Sequence, residues 1–203
     1  GNWHLVAVAI AVPAMHAYFV PAIGTNILGV WQFNSTLKIG HFRPQHGFVF
    51  GSATALITLA VMAKAEPVLG IYTLIETAVL CGLLLLAVNW IYDALAIRAG
   101  YLEVFNQPWA DGRGPWAIAA DYAIWFFGLF GLIYGAGLRL AEATLLASPQ
   151  WFSTAIIILL TVAATALFPA LGYCAATFWR YGHTGLKPCR RPSAAGENQW
   201  LHG

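Results

Sequence analysis

The chain has 203 residues, of which 60% are hydrophobic, 14% aromatic and only 9% charged, and its mean hydropathy is +0.68. Soluble domains carry about 25% charged residues, so this composition excludes an ordinary soluble enzyme and a disordered chain. The net charge of +2 is too small to hold a nucleic-acid backbone by counterion release, and three cysteines are too few for a disulfide scaffold or a zinc ribbon.

What remains is an integral membrane protein in contact with lipid. A helix needs about 20 apolar residues to cross the hydrocarbon core. Five stretches qualify, at 5–30, 47–63, 69–97, 116–138 and 152–179. The first contains Pro13 and Pro21, the fourth runs on toward Leu146, and the fifth contains Pro169. No strand-like alternation competes with them. The first stretch lacks a basic lead-in and is too long for a signal peptide. The expected fold is an all-α, five-span transmembrane bundle over 1–182, followed by a polar, mobile cytoplasmic tail over 183–203.

Basic residues set the orientation. Lys38 and Arg43 lie in the first loop and Arg98 and Arg113 in the third, while Arg180, Lys187, Arg190 and Arg191 lie at or in the tail. Only Lys64 and Arg139 fall on the other side. The N-terminus is therefore expected outside and the C-terminus in the cytoplasm, in a bacterial inner membrane or an intracellular membrane. Trp3, Trp31, Trp109, Trp116, Trp151 and Trp179 stand at span ends or in adjoining loops, where amphipathic rings favour the headgroup level.

Small residues let membrane helices approach closely. Gly47, Gly51 and Ala55 form one such stripe, and Gly128, Gly131 and Gly135 another. These faces are expected to pack against neighbouring helices, or against a membrane protein partner.

Ionisable groups inside a bilayer are costly and mark a function or a pairing. His16, Glu76, Asp93 and Asp121 are such groups. Asp93 ends the third span and Asp121 begins the fourth, so antiparallel packing brings the two to similar depth. Asn89, Trp90 and Trp125 lie within one helical turn of an aspartate on the same helix face, and Tyr122 follows Asp121. The expected site is a pocket in the cytoplasmic half. Asp93 and Asp121 exchange protons there, His46 relays, and Asn89, Trp90, Tyr122 and Trp125 bind substrate. Paired acids in apolar surroundings suit general acid–base work, and aromatic faces stabilise a developing cation. That points to isomerisation, cyclisation or hydration of an isoprenoid- or sterol-like substrate, with no cofactor or metal. Arg98 and Arg113 are the alternative, structural partners of the two acids.

Glu76 either reaches outward or pairs with Arg139. His16 is expected to bond a backbone group or a carboxylate, because buried polar groups need partners. His41 and His46 stand five apart around Pro44, off the spacing of helical metal ligands. The 98–115 loop is rich in aromatic residues and is expected to cover the pocket from the interface. Cys189 lies near the membrane beside two arginines, a place suited to acylation. Two other classes stay open: a non-catalytic membrane subunit, and a haem- or pigment-binding protein using His16, His41 or His46.

Overall fold

The computed structural model describes residues 2–62 and 70–191. Helix α1 (Trp3–Ala22) is capped by Asn2, whose side chain accepts from the amides of His4 and Leu5, and it widens into a π-helical turn at Ile23–Ile27. A short strand β1 (Trp31–Phe33) leads to α2 (Pro44–Val61). Helix α3 (Ile71–Arg98) is followed by strand β2 (Leu102–Val104) and the single turn α4 (Gln107–Ala110). Then α5 (Pro115–Ala123), a second π-helical stretch (Ile124–Leu129) and α6 (Phe130–Ala147) form one continuous rod. Helix α7 (Trp151–Tyr181) ends on Gly182, whose φ of 76° closes the last turn.

Four of these helical stretches are long and apolar enough to cross a membrane: Trp3–Ile27, Ile71–Arg98, Pro115–Ala147 and Trp151–Tyr181. Helix α2 falls short of that set because its first turn, Pro44-Gln45-His46, is polar. The outward faces of the four are apolar. On α7 alone Leu159, Leu160, Leu167, Phe168 and Phe178 are exposed, a surface that suits hydrocarbon rather than water. Lys64 and the tail beyond Arg191 lie outside the described residues.

The core runs along α6. Phe130, Tyr134, Leu138 and Leu145 pack on Val8 and Val12 of α1 and Leu85 of α3. One contact repairs a backbone fault. Pro13 has no N–H, so the carbonyl four residues earlier, on Ala9, loses its helical donor. The Tyr134 hydroxyl donates to that carbonyl.

Both glycine stripes are used inside the chain. A Cβ on Gly51 would meet the backbone of Ala14, and one on Gly131 would come within 2.7 Å of the Cys81 carbonyl oxygen. Gly47 lies under the Tyr18 ring and Gly135 against Cys81. The α1–α2 and α3–α6 contacts occupy these faces.

The strands are a departure from the purely helical expectation. Trp31 pairs with Val104 and Phe33 with Leu102 in antiparallel register, which ties the 28–43 and 99–114 loops together. The amide of Cys189 donates to the Phe105 carbonyl at 2.8 Å, and Arg191 stacks 4.6 Å from the Trp109 ring. The first residues beyond α7 are thus held against the loop rather than mobile. At the other end, the Asn2 side-chain amide donates to the Leu145 carbonyl at 3.2 Å, and His4 Nδ1 lies 2.9 Å from Thr154 Oγ1.

Candidate functional site

A cavity of about 270 Å³ lies beneath the paired loops. The helices around it supply one polar side chain each: His16 from α1, His46 from α2, Asp93 from α3, Tyr122 from α5 and Tyr173 from α7. Phe50, Phe126 and Phe127 provide aromatic wall, and Leu102, Val104 and Phe105 of the 98–115 loop cover it. Gly185 and Leu186, just beyond α7, complete the lining. Both π-helical turns border this space. Ile23 and Gly24 come from one, and Phe126 and Phe127 from the other. Such local widenings often occur at functional sites because they break the regular side-chain register.

Asp93 is buried, and its Oδ2 accepts a 2.7 Å hydrogen bond from the Tyr122 hydroxyl. Among the described residues no cation is paired with it. Asp121 is equally buried but differently served. Arg180 Nη1 stands 2.8 Å from Oδ1, and the Tyr181 hydroxyl donates to the same oxygen at 3.1 Å. Asn106 and Tyr173 donate to Oδ2, each at 3.2 Å. Asn106 and Tyr173 line the cavity while Asp121 does not, so Asp121 sits behind the wall and holds it.

The two acids therefore do not share one pocket, as expected from their depth alone. Their partners also differ from Arg98 and Arg113. Arg180 takes Asp121, and Arg113 lies 3.8 Å from Asp111. Tyr122 and His46 join Asp93 at the cavity. Asn89, Trp90 and Trp125 do not. The Asn89 amide donates to its own helix at Leu85. Trp90 turns to the exposed flank of α3, where its ring nitrogen donates to the Trp116 carbonyl at 3.2 Å. Trp125 packs against Gly172 of α7, in a shallow outer hollow beside Asp121 and Arg180.

His16 also departs from expectation. It lines the cavity and is only 5% exposed, yet among the described residues its Nδ1 has no hydrogen-bond partner. Its ring rests on Phe130, with centroids 4.4 Å apart. His46 packs between Phe33 and Phe50, so histidines from two helices reach one space. His41 stays exposed, with its amide bonded to Asn26. Among the described residues no three His, Cys, Asp or Glu side chains gather as metal ligands.

Two remaining expectations concern structural groups. Glu76 lies on the exposed side of α3, while the buried Arg139 pairs with Glu142 at 2.6 Å and bonds Thr77. Cys189 is half-buried, with its sulfur 3.7 Å from Gln107 Oε1 and 3.9 Å from His183 Nε2. Burial, with Asp121 and Asp111 nearby, pushes this thiol above its ordinary range. His183 Nδ1 accepts from the Gly185 amide at 3.2 Å, and its Nε2 lies 3.1 Å from Gln107 Oε1.

Asn106, Tyr173 and Arg180 were not singled out from sequence. Asn106-Gln107-Pro108 carries a local signal, an Asn cap before a helix-starting Pro, and Asn106 does cap α4. Its second role, bonding Asp121, depends on tertiary packing. No family model matches the chain, and no curated protein or solved structure is detectably similar to it.

Proposed function

We propose that this protein is a multi-pass membrane enzyme that performs acid–base chemistry on a lipophilic, isoprenoid-like molecule, with isomerisation, cyclisation or hydration as the reaction class. Asp93 exchanges a proton with the substrate and Tyr122 orients its carboxyl group. His46 stands on the same cavity wall as a second proton carrier. Asp121 keeps its charge balanced by Arg180 and positions Asn106 and Tyr173.

One observation carries this reading. A buried carboxyl group with a hydrogen bond and, among the described residues, no counter-charge opens onto an apolar, aromatic cavity. In that setting Oδ can hold or release a proton without breaking an ion pair. Large apolar pockets with a few convergent polar groups are where small molecules bind. A structural acid would instead be expected to carry the kind of partner set that Asp121 has.

The proposed topology is five crossings with the N-terminus outside and the C-terminus in the cytoplasm. Helix α2 spans about 27 Å at 1.5 Å per residue, close to the hydrocarbon thickness. The β1–β2 pairing and the Cys189–Phe105 bond join the basic loops to each other and to the tail, which supports this orientation through the positive-inside rule.

The test uses purified protein in lipid nanodiscs, supplied with a total neutral-lipid extract in D2O and followed by mass spectrometry. Wild type is expected to convert one lipid class into a product carrying solvent deuterium. Asp93→Asn, folded by thermal unfolding, is expected to lower that rate about 10²- to 10⁴-fold, the usual worth of a positioned acid or base. Deuterium incorporation unchanged in Asp93→Asn removes Asp93 from the chemistry, and its absence from wild type with every lipid offered counts for a non-catalytic membrane subunit.

A further inference from the structure

Among the described residues five buried side-chain polar atoms have no partner, on His16, Thr25, Arg43, Gln45 and Tyr101, and of these residues only His16 lines the cavity. His16 Nδ1 is covered, unpaired and part of a residue on the cavity wall. More than nine in ten buried polar groups in folded proteins have a partner, and an orphan calls for an explanation. Phe130 offers a ring face but no polar atom that His16 bonds. The backbone fault at Pro13, on the same helix, is already repaired by Tyr134. An imidazole can donate from one ring nitrogen and accept at the other, so this ring, turned toward the cavity it lines, suits a hydroxyl or carbonyl oxygen entering from it.

Charge narrows the ligand further. Among the described residues no lysine or arginine lines the space, whereas Asp93 does. A carboxylate or phosphate placed there would meet an acid and no cation, and burying an unpaired charge is strongly unfavourable. Volume sets the size. A cavity of about 150 Å³ accepts benzene, so the 270 Å³ here takes about eleven heavy atoms on the same scale. That is an isoprenoid segment rather than a whole sterol.

We infer that the cavity binds an uncharged, oxygen-bearing lipophile, or a segment of one, of about ten to twelve heavy atoms, and that His16 hydrogen-bonds its oxygen. The inference rests on the reading of this cavity as a substrate site. His16 is then the residue that selects alcohols, ketones or epoxides over fatty acids and prenyl phosphates.

The probes are decan-1-ol and decanoate, which share one chain and differ in head charge. Binding is measured on the full chain in nanodiscs, with uptake by empty nanodiscs subtracted. Wild type is expected to take up one decanol per chain, with decanoate at least tenfold weaker. His16→Leu is expected to weaken decanol at least tenfold while raising the unfolding temperature of the ligand-free protein, because it removes an unpaired polar group. His16→Gln, which keeps a donor and an acceptor, is expected to retain binding within about threefold. Decanoate binding as tightly as decanol overturns the inference without any variant having to fold. Undiminished decanol binding in folded His16→Leu also overturns it. Both results leave the Asp93 proposal intact if deuterium transfer persists. Failure of wild type to bind either probe removes the substrate-site reading along with this one.

Discussion

Asp93 and Asp121 look alike in sequence, each an acid near the end of an apolar helix, and their surroundings make them different. Asp121 collects an arginine, two tyrosines and an asparagine; Asp93 collects one tyrosine. Helical spacing places both acids on inward faces, and both are buried. It cannot reveal Arg180, 59 positions from Asp121, because that contact depends on how α5 meets α7. The same limit explains Trp90 and Trp125. Being within one turn of an acid does not decide which way a bulky ring leaves the helix. Asp121→Asn removes the charge opposite Arg180 and unbalances the donor set. It is expected to cost about 1–3 kcal/mol of stability, read from thermal unfolding in detergent, while deuterium transfer stays within about tenfold of wild type. Unchanged stability with lost transfer would instead place Asp121 in the chemistry.

At the scale of elements, long apolar runs announce themselves. The third stretch was read as 69–97 and is helical over Ile71–Arg98; the fifth was read as 152–179 and is helical over Trp151–Tyr181. The glycine stripes were legible as contact faces, because only a missing Cβ lets two backbones approach this closely. The strands were not legible, since three residues carry too little alternation to register as a pattern. Helix α2 is the element on which the crossing count turns. Without its passage the 28–43 and 99–114 loops would lie on opposite sides of the membrane. Thr36→Cys, Arg113→Cys and Gln150→Cys in a cysteine-free background test this with an impermeant maleimide on sealed, oriented vesicles. Thr36 and Arg113 are expected to label from one side and Gln150 from the other. Thr36 labelling together with Gln150 would leave only four crossings.

At the scale of the whole molecule, the cavity is assembled from parts that no single stretch of sequence contains. Helices α1, α2, α3, α5 and α7, both π-helical turns, the 98–115 loop and the residues after Gly182 each contribute to its wall. His16 could be recognised as buried from its place in an apolar run, but its lack of a partner is a property of the packed bundle. The same holds for the loop, whose aromatic content marked it as more than a linker and whose pairing with β1 holds it over the cavity. The central claim is that this enclosed space receives a lipophilic molecule against Asp93. An experimental structure of the protein purified with its native lipids tests it most directly. The account predicts density for a compact apolar molecule between α1, α3 and α5, with an oxygen within hydrogen-bond distance of His16 and a reacting carbon facing Asp93 and Tyr122. A cavity closed by the protein's own side chains, with Asp93 paired to a basic residue, would contradict it.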